Sequence, residues 1–364
     1  MKAKNTPFSV EVTPDWRGFL RCIQRKSTPE RVHYIELFLD GEVQEAICDR
    51  YGVLDGLDRS DPFFGHKYQI RLQRFLGYDF VRGGVEGISL PTKHCVAEDS
   101  AALQRKGGRS FMELHKGPIT CWEEFKSYPW PDPSAITTHS LEWLSENLPE
   151  DMCIIGFGVG HYSEYLAWLM GYETLCYALH DQRDLVAAIY QRVLELDLAI
   201  IGHLLKFERV KMIWGSDDMG YRSQTLISPK DMREFVLPGH KRMAELSHKA
   251  GRPYLLHSCG NLGEIMEDLI EDVRIDAKHS FEDTIETVVE AKKRYGDRLT
   301  LLGGIDVDFL CRASEKDIRR RVRETLEDCM PGGGYCLGTG NSVANYIPLD
   351  NYLTMLDEGR KFRP

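Results

Sequence analysis

The chain has 364 residues, of which 42% are hydrophobic and 28% charged, enough for one large soluble domain or two smaller ones. Lys+Arg 46 against Asp+Glu 56 gives a formal charge of -10, and no long block of like charge occurs, which argues against a nucleic-acid footprint. No apolar stretch approaches the length of a membrane span, the first twenty residues lack a secretory h-region, and ten scattered cysteines suit reduced thiols, so the expected location is the cytoplasm without membrane association.

In chain order, residues 1–30 read as an N-terminal extension with helical additions, and Val32–Leu37 and Tyr78–Val81 read as strands. From there short apolar strands alternate with long amphipathic helices. The strands are 153–157, 212–215, 254–257, 275–279, 299–303 and 334–337; the helices are 184–205, 229–249, 285–295 and 316–329. Ser228-Pro229-Lys230-Asp231 has the form of a helix start, an N-cap serine followed by proline at the first helical position. Eight strands separated by crossover helices predict an α/β fold, a single (β/α)8 TIM-type barrel spanning residues 1–364.

Polar residues collect at the C-terminal ends of these strands: Glu36, His161, Asp217 and Asp218, His257 and Cys259, His279, Asp306, then Cys336 and Asn341. Active sites of β/α barrels are built at that pole. His257 and Cys259 leave one strand on the same face, and with Cys336 they offer one imidazole and two thiols, a set that suits zinc with an open fourth position. The alternative is a core histidine with two small buried thiols. Asp217 and Asp218 are the candidate catalytic carboxylates, for positioning substrate, taking a proton or adding a zinc ligand, and Glu36, His161, Tyr221, His279 and Asn341 are candidate substrate contacts.

The chain resembles the uroporphyrinogen decarboxylase superfamily, in particular its corrinoid-dependent, zinc-containing methyltransferase branch. The resemblance rests on Trp122-Glu123-Glu124-Phe125, Tyr128-Pro129-Trp130-Pro131-Asp132, Gly156-Phe157-Gly158, Trp214 to Tyr221, Leu256 to Asn261 and Gly338-Thr339-Gly340-Asn341. It implies that the family's His-x-Cys and distant Cys fall on His257, Cys259 and Cys336. It also implies zinc as cofactor, a corrinoid on a separate partner protein, and methyl transfer involving a small thiol or methylated substrate. The arginine-rich segment with which porphyrinogen decarboxylases meet a polycarboxylate is missing after Glu36, where Asp40 and Glu42 stand instead. A metal-free lyase acting on a tetrapyrrole or smaller acid, and a barrel that binds a ligand without turning it over, are the alternatives. An exposed ring of helices is compatible with a homodimer.

Overall fold

The computed structural model describes residues 6–363. Seven parallel strands form a curled sheet: β1 (Phe80–Gly83), β4 (Cys153–Val159), β5 (Val210–Ser216), β6 (Tyr254–His257), β7 (Ala277–His279), β8 (Thr300–Leu302) and β9 (Tyr335–Cys336), hydrogen-bonded in that order. The expected barrel architecture is present, with helices such as Arg183–Leu204, Leu237–Lys249 and Glu315–Cys329 in the connections. The strands are short apolar runs buried along nearly their whole length, as parallel strands covered by helices must be.

Two expected elements differ. The segment expected as the first strand, residues 32–37, makes no continuous ladder. It meets the last strand region at the isolated bridge Tyr34↔Leu337 and through Thr339 to the Glu36 side chain, with Leu39↔Val343 just beyond it, and on its other side the Arg82 side chain donates to the Leu37 carbonyl at 2.9 Å. The expected helix 229–249 is two, Pro229–Phe235 and Leu237–Lys249. Pro238, which has no N–H, sits in the first turn of the second, and Val236 leaves helical geometry between them. A hairpin of β2 (His94–Ala97) and β3 (Arg109–Met112), absent from the sequence reading, stands apart from the barrel sheet. Arg105 and Arg109 tie it back to Asp40 and Glu42.

The helix Trp16–Ile23 covers the N-terminal end of the barrel, where its Ile23 carbonyl accepts from Thr300 Oγ1 at 2.7 Å at the start of β8. The opposite pole is left to the loops that follow the strands.

Candidate metal and substrate site

Two loops at the C-terminal pole are fastened to each other. After β5 and β6 the chain makes Gly220 N–H to Cys259 C=O at 3.1 Å and Asn261 N–H to Tyr221 C=O at 2.7 Å. The Ser258 hydroxyl accepts from the Met219 N–H at 3.2 Å, and Asp218 Oδ1 accepts from the Cys259 N–H at 3.1 Å. This approach needs glycine on both sides: at Gly260, with φ +80°, a Cβ would lie 2.2 Å from the Gly220 carbonyl carbon. The sequence thereby forces Asp218 against the His257–Cys259 strand end.

Asp218, His257 and Cys259 present one carboxylate oxygen, one imidazole nitrogen and one sulfur within 4.8 Å of one another. His257 Nε2 lies 3.4 Å from Cys259 Sγ and 3.5 Å from Asp218 Oδ1. Two donors on a tetrahedral zinc, at bond lengths of about 2.0–2.3 Å, stand roughly 3.3–3.7 Å apart. The donor types and the two distances from His257 therefore fit zinc, and the third pair, Asp218 and Cys259, lies within 4.8 Å. Behind them, His257 Nδ1 is 2.7 Å from Nδ1 of the buried His279, which leaves Nε2 directed at the other two donors. The Asn341 amide donates to Cys259 Sγ at 3.1 Å and Ser280 Oγ approaches it at 3.7 Å. Ser280 holds φ +88°, a region costly for a residue with a Cβ, and its carbonyl accepts from the buried Lys278 ammonium at 2.5 Å.

The electrostatics without a cation are one-sided. Burial works against the Asp218 carboxylate, but hydrogen bonding and charge from His257, with the hydrogen bonds from Cys259, outweigh it and set its pKa at about 2. Burial, reinforced by the Asp218 charge, pushes the Cys259 thiol up. Burial, the neighbouring His257 and Lys278 hold His279 well below the usual imidazole value, keeping it neutral. A bound divalent cation reverses the sign for the thiol.

Cys336 is not in this cluster. The ladder pairs His257, His279, Leu302 and Cys336 along one line across four strands. Barrel strands tilt by about 36° and lie about 4.8 Å apart, so three steps along that line descend roughly 8 Å toward the base. There Cys336 is fully buried beside Cys22 of the base helix, burial keeps it protonated, and Cys22 Sγ bonds the Tyr335 carbonyl at 3.2 Å. Asn341, five residues further on, is the group from the last strand that reaches Cys259.

Asp217 turns away from the cluster as well. Fully buried, it accepts the Ser163 and Glu164 N–H groups, both at 2.9 Å, and meets His240 Nε2 at 3.0 Å; it caps the helix Tyr162–Met170 instead of facing substrate. Glu36 is likewise buried and engaged by Thr339, from its N–H at 2.7 Å and its hydroxyl at 2.6 Å. Tyr221 is exposed on the rim, and His279 stands behind His257. His161 lies at the end of β4, its Nδ1 2.7 Å from Glu164 Oε2. Glu164, three residues on at the start of a helix, has a spacing that could have marked it in the sequence. A cavity of about 910 Å³ is lined in part by Phe281, Asp306, Phe309, Tyr346 and Asn341, the residue whose amide reaches Cys259.

The family described as Uroporphyrinogen decarboxylase (URO-D) matches residues 111–362. A "Methylated-thiol--coenzyme M methyltransferase" of Methanosarcina mazei is 33% identical over 130 residues, 35% of this chain and 32% of that protein. A "Methylcobamide:CoM methyltransferase MtaA" of Methanosarcina barkeri is 29% identical over 129 residues, 35% of this chain and 36% of that one. A "Uroporphyrinogen decarboxylase" of Thioalkalivibrio sulfidiphilus is 27% identical over 139 residues, 37% and 38% of the two chains. These matches thus span about a third of the relatives' length. A solved "methyltransferase from Methanosarcina mazei" superposes with TM-score 0.65 at 16% identity, covering 96% of this chain and 98% of that one, which shows a shared fold.

Proposed function

The chain belongs to the uroporphyrinogen decarboxylase family, and from that premise we propose that it is a methyltransferase in which Asp218, His257 and Cys259 hold a zinc ion. In this reading a methyl group passes between a corrinoid on a separate partner protein and a small thiol or methylated substrate. The observation that carries the reading is the convergence of oxygen, nitrogen and sulfur donors within 4.8 Å of one another on the open pole of the barrel, with His257 Nε2 at 3.4 and 3.5 Å from the other two. Two relatives named as methyltransferases acting with coenzyme M support it.

Zinc bound by these residues supplies a Lewis acid that makes a thiol acidic enough to be a nucleophile at neutral pH. The chain's own residues do the rest. His279 fixes the His257 ring so that Nε2 faces the cluster, and Asn341 and Ser280 orient the Cys259 sulfur. Asp218, on the solvent side with 44% of its side chain exposed, borders the position where a substrate enters. The cavity beside Asn341 leaves room for substrate next to the cluster.

The test supplies free methylcobalamin and 2-mercaptoethanol and measures thioether formation. Turnover by the parent protein that disappears in Cys259→Ser, with the fold retained, is expected; equal turnover in the variant refutes the role of Cys259.

A further inference from the structure

The loop after β4 carries a second ionisable group that the metal cluster does not use. Gly160 donates its N–H to the buried Asp197 carboxylate at 2.7 Å, fixing the turn that delivers His161 to the N-terminus of the helix Tyr162–Met170. His161 Nδ1 and Glu164 Oε2 are 2.7 Å apart, with side chains 25% and 17% exposed, and Tyr165 and Trp168 pack around the imidazole. A glutamate in a first helical turn ordinarily caps or complements the helix dipole. Here Asp217 takes the Ser163 and Glu164 N–H groups from outside the helix, and the Glu164 carboxylate meets the imidazole of the N-cap residue His161. Part-burying such a pair costs desolvation without a capping return.

The groups facing the pair come from two other elements. Asp217 and Asp218 at the end of β5 bear on Glu164; Asp217 and, from the long helix Arg183–Leu204, Asp197 bear on His161. Burial raises the Glu164 carboxyl, against the pull of His161, to about 7. Burial lowers His161, but the hydrogen bond and charge of Glu164 outweigh it and hold the imidazole above its ordinary value. β4 and β5 are neighbours in the sheet, so the pair stands one strand from Asp218 at the same pole.

We propose that the His161–Glu164 pair is the proton acceptor for the substrate thiol at the barrel mouth, and the donor of that proton in the reverse direction. The inference rests on the thiol-activating reading above. The thiol S–H bond breaks, its electron pair stays on sulfur, and the proton forms a new bond to the pair; no oxidant or reductant takes part.

The experiment counts protons delivered to solvent when 2-mercaptoethanol binds the zinc-loaded protein, by calorimetry in buffers of different ionisation enthalpy. At about pH 7.5, close to the Glu164 value of about 7, the parent protein is expected to deliver clearly fewer protons per thiol bound than Glu164→Gln or His161→Gln, which deliver about one. Glu164→Asp, which can still reach the imidazole, should return the count toward that of the parent. A helix-stabilising role alone leaves the count the same in parent and variants, and that result overturns the proposal. Failure of the thiol to bind the parent protein at all is a distinct outcome, which refutes the thiol-activating function and this inference with it.

Discussion

Replacing Glu36 by glutamine should stabilise the protein at neutral pH and leave it unchanged in acid. Glu36 is buried and accepts from the Thr339 N–H at 2.7 Å and the Thr339 hydroxyl at 2.6 Å; these bonds favour the ionised form, and burial favours the protonated one. Burial raises its pKa from 4.5 to about 8, against the opposing Thr339 hydrogen bonds. The folded pKa lies above the unfolded one, so the folded chain binds this proton more tightly. The stability so contributed is complete below about pH 4.5 and is lost as pH rises to about 8. At 1.36 kcal/mol per pH unit, the loss between pH 4.5 and 7 is at most about 3 kcal/mol, and about 1–3 kcal/mol after structural relaxation. Glutamine is nearly isosteric with the protonated acid, keeps one acceptor oxygen and does not titrate. Urea unfolding at pH 5, 7 and 8 measures the difference: the variant's advantage should grow with pH. An advantage that is constant across that range, or a variant less stable at pH 8, refutes the protonated assignment.

Asp217→Ala should cost about 3–5 kcal/mol in thermal or urea unfolding, because it strands the Ser163 and Glu164 N–H groups and His240 in a dry interior; a loss under 1 kcal/mol would contradict the capping role. Gly260→Ala combines a left-handed φ with a Cβ 2.2 Å from the Gly220 carbonyl carbon. Forcing the two loops apart should cost about 2–4 kcal/mol and weaken zinc binding, read by competition with a chromogenic chelator; unchanged affinity would show that the loop contact does not set the cluster. Asn341→Leu removes the donor to Cys259 Sγ and should weaken zinc binding by about tenfold with little change in stability, measured in the same assay; parent-like affinity would leave Asn341 without a part in the site.

The strand order, the polarity of the barrel and the shared face of His257 and Cys259 were legible in the sequence because they follow from local properties: apolar runs, helix caps and the two-residue period of a strand. Asp218 was legible by its pole and as one of two carboxylates that could add a zinc ligand, but which of the two meets Cys259 depends on two loops meeting at Gly220 and Gly260. The placement of Cys336 failed for a reason of geometry. Position on the last strand was read without the barrel's tilt, which separates residues on one pairing line by height. Asp217 and Glu36 were polar residues at the expected pole whose partners, a helix N-terminus and a threonine 303 residues away, come from other segments. Glu164 was missed although its three-residue spacing from His161 is visible in the sequence, because that spacing brings the two together only when a helix begins at Tyr162.

Elemental analysis of the protein purified without chelators, with Asp218→Ala, Cys259→Ala and Cys336→Ala prepared alongside, tests the site most directly. About one zinc per chain is expected in the parent and in Cys336→Ala, and a loss of most of it in Cys259→Ala and Asp218→Ala. Zinc retained in Cys259→Ala, or lost in Cys336→Ala while Asp218→Ala keeps it, would contradict a centre built on Asp218, His257 and Cys259.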